Sequence, residues 1–257
     1  MCAQVGQPNE PGRELYDCQV DWSQYQAVLF DLDGVLTPTA DVHMRAWERM
    51  FNEFLRTHDT QSAPYTADDY FQYVDGKPRL DGVRSFLASR GIVLPEGAPD
   101  DPPESDTVAG LGHRKNAYFT GVLRDEGVEA YPGSVALLDA LADTGLVLGV
   151  VSSSRNAPAV LEAAGLADRF AFVVDGNVAA AEHLSGKPAP DTFVYGAELA
   201  GTTPAKSVVV EDAVSGVAAG RAGDFGLVIG VDRGAGAQNL IDNGADIAVA
   251  DLKELIS

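Results

Sequence analysis

The chain has 257 residues, of which 46% are hydrophobic, and its formal net charge is −20. This length and composition provide for a sizeable core in one large domain or two smaller ones, and no run approaches the roughly 18 apolar residues that span a bilayer. The strong negative charge excludes the electrostatic attraction by which proteins bind nucleic acid or anionic membranes, so we expect neither as a partner.

The amino-terminal segment, residues 1–22, mixes Gln, Pro, Gly and charged residues without periodicity and is predicted to be a loosely ordered tail. It contains both cysteines, Cys2 and Cys18, and shows no basic region followed by an apolar stretch. We therefore expect a protein without a disulfide framework or a secretory signal, located in the cytoplasm.

The first predicted strand is the apolar run Ala-Val-Leu-Phe at 27–30, and two carboxylates, Asp31 and Asp33, follow it before Gly34. The carboxyl end of a parallel strand is where ligands bind in an open sheet. A charged pair there is costly to desolvate unless it has a metal, a cation or a reaction to serve. Taken alone, the motif is equally well interpreted as an ordinary acidic turn.

A helical region follows the first strand. Apolar residues at helical spacing between 42 and 55 predict an amphipathic helix, and no strand is predicted before about residue 129. A polar turn at 75–79 precedes a helix over 82–89, and the Pro-rich acidic segment 95–106 is predicted to be an exposed loop.

The pattern changes after residue 131. A helix over 135–142 is followed by short apolar runs that alternate with Ala-rich helical segments. The runs lie at 146–151, 171–174, 207–210, 227–231 and 247–250. This alternation predicts an α/β fold, a Rossmann-like parallel-sheet core with a helical cap inserted after the first strand. We expect a tail at 1–22, the core at 23–42 and 128–257, and the cap at 43–127.

Further polar groups follow the later strands in order. They are Ser152 after the second strand, Lys187 in a Gly-Lys-Pro motif at a helix entry, and Glu211 with Asp212 after the strand at 207–210. A hydroxyl and the free amides of the next turn are suited to hold phosphate oxygens. Helix capping by Ser153 or Ser154 is the alternative for the serine motif, and a solvated side chain is the alternative for the lysine.

Taken in this order, the motifs resemble those of the haloacid dehalogenase superfamily of phosphoryl-transfer enzymes. The resemblance implies that Asp31 attacks phosphorus and forms an aspartyl-phosphate, and that Asp33 is the general acid and base. It further implies that Lys187 offsets charge between the nucleophile and the phosphate, while Ser152 holds a phosphate oxygen. Without the lysine and a metal, clustered carboxylates would raise one another's pKa.

The same resemblance implies Mg²⁺ as the cofactor. The carboxylate of Asp31, the backbone carbonyl of Asp33 and the carboxylate of Asp212 would hold the ion, with Glu211 supporting the site, since Mg²⁺ prefers hard oxygen ligands.

Several stretches are similar to the β-phosphoglucomutase group within that superfamily. They lie at 37–43, 45–47, 114–116, 131–133, 152–156, 187–191 and 211–213. The similarity implies a mutase that moves phosphate between C1 and C6 of β-glucose phosphate through a bound bisphosphate. The substrate-binding residues that it implies are His43, Trp47, Gly76, Arg79, Ser153, Ser154, Arg155 and Asn156. A solvated histidine and a packed cap tryptophan are the alternatives for His43 and Trp47, and Asp75 stands where the group commonly has a lysine.

Three functions remain open from the sequence. A mutase acting on a small phosphorylated sugar is the first, and a phosphatase using the same core residues, with water as the attacking group, is the second. A non-catalytic module of the phospho-accepting receiver type is the third, although receivers carry no large insertion after the first strand. A dinucleotide-binding fold is excluded because no Gly-x-Gly-x-x-Gly turn follows that strand. We expect a monomer.

Overall fold

The structure, a computed structural model, describes residues 20–58 and 63–256. Within them, one sheet contains six strands, all parallel. The strands are β1 (Ala27–Phe30), β2 (Val147–Val151), β3 (Phe172–Val174), β4 (Ser207–Glu211), β5 (Leu227–Val231) and β6 (Ile247–Val249). Their order in the sheet is β3-β2-β1-β4-β5-β6, which confirms the predicted α/β class.

The helices of the described residues are α1 (Thr39–His58), α2 (Ala67–Asp69), α3 (Arg79–Ser89), α4 (Val108–Glu126), α5 (Pro132–Leu141), α6 (Ala157–Ala163), α7 (Gly176–Ala181), α8 (Asp191–Leu199), α9 (Val214–Ala222) and α10 (Ala237–Asp242). A π-type segment, Tyr70–Val74, continues α2. None of the described helices is long and apolar enough to cross a membrane.

Strand β1 lies at the centre of the sheet, paired with β2 on one side and β4 on the other. All four of its residues are fully buried, as the uninterrupted apolar run predicts. Val28 and Phe30 belong to the apolar cluster on one face of the sheet, and Leu29 belongs to the cluster on the other. The residues that follow β1 are therefore held at the middle of one sheet edge.

A separate apolar cluster fills the region between β1 and α5. It is formed mainly by aromatic and aliphatic side chains of α1, α3, α4 and the segment 65–74. The described residues of this region contain no strand, as expected, and α1 begins at Thr39 and continues unbroken past the proposed cap boundary at 42/43. Residues 95–106 lie in an irregular segment between α3 and α4.

Several predicted boundaries differ from the observed ones by one to three residues. Helix α5 begins at Pro132 rather than at 135, since a proline is readily accommodated in the first helical turn. Helix α3 begins at Arg79, directly after Pro78, rather than at 82. Most of the predicted tail, with both cysteines, lies outside the described residues, but Val20 and Trp22 pack against the core.

Candidate active site

The central strands deliver four carboxylates to one edge of the sheet. Asp31 and Asp33 follow β1, and the backbone N–H of Asp31 donates to the carbonyl of Val210 at 2.9 Å, which extends the pairing with β4. Strand β4 ends at Glu211, and Asp212 follows it. We call Asp31, Asp33, Glu211 and Asp212 the carboxylate cluster. All but Asp33 are buried.

Lys187 enters the carboxylate cluster from the loop before α8. Its Nζ lies 2.5 Å from Oδ1 of Asp31 and 2.6 Å from Oε1 of Glu211, and it donates to the carbonyl of Val151 at 3.1 Å. Burial lowers the pKa of Lys187, but the attraction of Asp31 and Glu211 outweighs burial and holds that pKa above its ordinary value. The lysine is therefore a fixed cation shared by two buried carboxylates.

Burial also controls the ionisation of the carboxylates. It raises the pKa of Asp31 to about 8 against the opposing effect of Lys187, and the nearby Glu211 adds to the rise. Burial likewise raises the pKa of Asp212 well above its ordinary value, and the charge on Asp75 adds to that rise. One lysine thus leaves the cluster short of positive charge, which is the condition in which a divalent cation binds.

The oxygen atoms of this edge fit Mg²⁺. The carboxylates of Asp31 and Asp212 and the backbone carbonyl of Asp33 are hard ligands. Gly34 has a φ of +87°, and a Cβ there would lie 1.8 Å from Oδ2 of Asp212, so glycine is what allows the loop to pass this carboxylate. No group of three or more His, Cys, Asp or Glu side chains in the described residues is arranged to hold a metal. Two carboxylates, a carbonyl and water are nevertheless a set that Mg²⁺ accepts.

Asp33 is held by side chains of α1. The hydroxyl of Thr39 donates to Oδ1 of Asp33, and Nε2 of His43 lies 3.3 Å from the same oxygen. Burial raises the pKa of Asp33, but His43 and Thr39 outweigh it and hold the pKa at about 2. The side chain of His43 is only 14% exposed and contacts Nζ of Lys115, so it is not the solvated histidine of the alternative interpretation. Burial and Lys115 both lower its pKa.

The loop after β2 carries the predicted phosphate-binding residues. Ser152 is buried, and its Oγ accepts a hydrogen bond from the backbone N–H of Ser154 at 3.1 Å. The Oγ of Ser154 accepts from the N–H of Asn156 at 3.2 Å. Helix α6 has Asn156 rather than a serine as its N-cap, so the capping interpretation of these serines is wrong. The side chain of Asn156 donates to Oδ1 of Asn116 on α4 at 2.9 Å.

A cavity of about 650 Å³ lies between the sheet edge and the helices α1, α3 and α4. Its lining includes every residue predicted for the site except Lys187, which lies behind Asp31: Asp31, Asp33, His43, Trp47, Gly76, Arg79, Ser152, Ser153, Ser154, Arg155, Asn156, Glu211 and Asp212. Trp47 is packed in the apolar cluster of the helical region and stacked on Phe51, with ring centres 5.3 Å apart, although it also lines the cavity.

Two arginines reach the cavity from opposite sides. Arg79 comes from the start of α3 and Arg155 from the loop after β2. Burial, together with the positive charge of Arg155, lowers the pKa of Arg79 to about 10. Two guanidinium groups that repel each other in this way form a site suited to an anion such as phosphate.

The sequence argument did not assign site roles to Thr39, Tyr70, Asp75, Lys115 and Asn116. All but Thr39 line the cavity. Lys115 and Asn116 fall in the stretch 114–116, whose resemblance to the mutase group was a usable signal. Burial, together with the charge of Glu211, raises the pKa of Asp75 to about 7. No local sequence pattern around Asp75 indicates this shift.

Arg233 ties the loop after β1 to the rest of the sheet. Its Nε donates to the carbonyl of Gly34 at 2.9 Å, and its Nη1 donates to the carbonyl of Ala250 at 3.1 Å. Its guanidinium also lies 3.9 Å from the ring centre of Tyr131, which precedes α5. Arg233 therefore fixes the backbone of the loop that contains Asp33.

Comparisons with known proteins show which family the chain resembles. The model of the haloacid dehalogenase-like hydrolase family matches residues 25–224. A protein of Mycobacterium tuberculosis named β-phosphoglucomutase is 50% identical over 240 residues, covering 90% of this chain and 91% of its own. Hexitol phosphatase A of Escherichia coli is 32% identical over 196 residues, covering 76% and 77%.

The fold is likewise shared with a solved structure. The crystal structure of β-phosphoglucomutase from Clostridium difficile superposes with a TM-score of 0.71 at 23% identity, covering 90% of this chain and 93% of that one.

Proposed function

The chain belongs to the haloacid dehalogenase-like hydrolase family, and we propose that it is a Mg²⁺-dependent mutase interconverting β-glucose 1-phosphate and glucose 6-phosphate. The resemblance inferred from the sequence motifs, to this superfamily and to its β-phosphoglucomutase group, is confirmed. The protein is an enzyme of the phosphosugar mutase or phosphatase type. The finer assignment to a mutase is supported by the arginine pair.

The first chemical step assigned to this site is attack by Asp31 on phosphorus. Lys187 engages Oδ1 of Asp31, so we assign the attack to Oδ2. The lysine offsets the negative charge that otherwise opposes the approach of a phosphate dianion. Ser152 and the amides of its loop hold phosphate oxygens. A bound Mg²⁺, held by Asp31, Asp212 and the Asp33 carbonyl, supplies further neutralisation of the phosphoryl oxygens.

Asp33 moves the proton. Its pKa of about 2 keeps it a carboxylate at neutral pH, ready to accept the proton of an attacking hydroxyl. Thr39 and His43 both engage Oδ1, so Oδ2 is assigned to the exchange. When the aspartyl-phosphate is attacked, a new P–O bond forms to the sugar hydroxyl, the P–O bond to Asp31 breaks, and the hydroxyl proton passes to Asp33.

The observation that carries the mutase proposal is the convergence of Arg79 and Arg155 on the cavity. A mutase holds a sugar bisphosphate while one phosphate reacts, so it needs a second anion site. A hydrolase acting on a monophosphate has no use for a second anion site built from two guanidinium groups. Asn156 directly follows Arg155 and donates a hydrogen bond to the side chain of Asn116. We assign Asn156 to the same subsite.

Hydrolysis is the second candidate function. It is favoured by the 32% identity to a relative named hexitol phosphatase A. Both reactions share every step up to the aspartyl-phosphate and differ in whether a sugar hydroxyl or water attacks it. We propose further that the partner is a small phosphorylated sugar and that the protein is a cytoplasmic monomer.

Phosphorus NMR separates the two functions. Purified protein is incubated with Mg²⁺, β-glucose 1-phosphate and a trace of β-glucose 1,6-bisphosphate, with α-glucose 1-phosphate and a hexitol phosphate in parallel reactions. We expect glucose 6-phosphate from the β anomer and little free phosphate from any substrate. Stoichiometric free phosphate without glucose 6-phosphate refutes the mutase, and rapid hydrolysis of the hexitol phosphate supports the second candidate.

A further inference from the structure

Two serines from different elements at the sheet edge donate hydrogen bonds to the same turn of the helical region. The Oγ of Ser153, after β2, donates to the carbonyl of Gly76 at 2.8 Å. The Oγ of Ser215, in the first turn of α9, donates to the carbonyl of Asp75 at 2.9 Å. The acceptors are consecutive backbone carbonyls in the turn at 75–78, which we call the cap turn. In the sequence, Ser153 is 77 residues from its acceptor and Ser215 is 140 residues from its acceptor.

The cap turn is shaped for this contact. Gly76 has a φ of +69°, and a Cβ there would lie 2.2 Å from Oγ of Ser215 and 2.9 Å from Cβ of Ala213. Any larger residue would keep the turn from seating. A Cβ on Gly186 would similarly lie 2.2 Å from Cγ of Pro78, so the turn also packs against the residue that precedes Lys187.

These hydrogen bonds join the helical region to the side of the cavity formed by the sheet edge. The cap turn lies between the π-type segment and α3, whereas Ser153 lies in the loop after β2 and Ser215 lies in the first turn of α9. A hydroxyl-to-carbonyl bond that forms on closure and is replaced by water on opening shifts the closed-to-open ratio by roughly five-fold. The two bonds have different donors and different acceptors, so we expect their effects on this ratio to multiply.

We propose that Ser153 and Ser215 are positioning residues that form a clasp, a two-point hold on the cap turn that keeps the cavity closed over the aspartyl-phosphate. The proposal rests on the proposed function and refines it. It reassigns Ser153 from substrate binding, since its hydroxyl is engaged by Gly76. By excluding water while the bisphosphate reorients, the clasp sets how often the phosphoryl group goes to a sugar hydroxyl rather than to water.

Alanine variants test the clasp. Ser153→Ala, Ser215→Ala and the double variant are compared with Ser89→Ala, which removes a hydroxyl that donates to the carbonyl of Phe86 within α3. We expect the ratio of free phosphate to glucose 6-phosphate to rise roughly five-fold in each single variant and 25-fold in the double variant. The ratio should be unchanged in Ser89→Ala. An equal loss of both products with an unchanged ratio overturns the proposal.

A second measurement does not depend on the sugar reaction. Hydrogen exchange of the peptide spanning 70–80 is followed with Mg²⁺ and beryllium fluoride, a mimic of the phosphorylated aspartate. We expect exchange several-fold faster in the double variant than in wild type, and equal exchange in the two overturns the clasp. If wild type releases phosphate without glucose 6-phosphate, the mutase fails, while the exchange result still decides whether the clasp holds the cap turn.

Discussion

Replacing Lys187 by methionine tests how far the stability of the protein depends on one buried cation. Methionine keeps the apolar stem but removes the ammonium group that lies 2.5 Å from Asp31 and 2.6 Å from Glu211. The side chains of Lys187 and Glu211 are each 1% exposed, so water does not replace the lost partner. Removing one member of a buried ion pair lowers the free energy of unfolding by about 3–5 kcal/mol, and we expect a loss of that size at pH 8.

The loss should shrink at lower pH. Without the lysine, a buried carboxyl group binds a proton in the folded state at a pH where it is ionised in the unfolded state. The variant therefore loses stability relative to wild type as the pH rises. One such carboxyl group contributes about 1.4 kcal/mol per pH unit, or about 3 kcal/mol between pH 6 and pH 8.

Urea unfolding of the metal-free proteins at both pH values measures this cost, with the exposed Lys253→Met as control. Adding Glu211→Gln to Lys187→Met should restore part of the lost stability, because it removes the unpaired charge while the amide oxygen still accepts from the N–H of Ala213. Turnover should remain lost in the double variant. A cost below about 1 kcal/mol at both pH values, typical of exposed pairs, refutes the reasoning. So does a further loss of stability on adding Glu211→Gln.

Three other predictions concern the nucleophile, the second anion site and the metal. Asp31→Asn should lower turnover on the order of 10⁴-fold or more and abolish phosphorylation of the protein, and appreciable turnover would contradict a nucleophilic Asp31. Arg155→Ala should weaken β-glucose 1,6-bisphosphate binding roughly 10- to 100-fold in calorimetry while sparing phosphate transfer to water, and equal losses in both assays count against the second anion site. Because the pKa of Asp31 is raised to about 8, Mg²⁺ must displace a proton at neutral pH. Its affinity should therefore rise up to about tenfold per unit between pH 6 and pH 8, and a pH-independent affinity in titrations of EDTA-treated protein contradicts this.

Most of the sheet edge could be predicted from the sequence because its residues follow strands directly. An apolar run followed by Asp31 predicts both strand β1 and the place of the carboxylate at its end. The apolar residues up to Val210, followed by Glu211, predict β4 and its carboxylate in the same way. Parallel pairing of β1 with β4 then brings the two ends together without further information.

Contacts of side chains with residues that are far away in the sequence could not be predicted in this way. Lys115 meets His43 from 72 residues away, and Ser215 meets the carbonyl of Asp75 from 140 residues away. Neither pair leaves a periodic or compositional trace. The first depends on how α1 packs against α4, and the second depends on how the helical region packs on the sheet. The raised pKa of Asp75 depends on that second packing as well.

The bracing of the β1 loop by Arg233 has a consequence for how substrate is exchanged. This arginine holds the carbonyl of Gly34 and the ring of Tyr131, so it touches the chain on the outgoing and the returning side of the helical region. The backbone of the β1 loop is then anchored to the sheet, whereas the contact between the Asp33 carboxylate and His43 belongs to the helical region. If the helical region opens in the proposed reaction cycle, Asp31 keeps its place on the sheet, and the contact between Asp33 and His43 is the one that has to re-form.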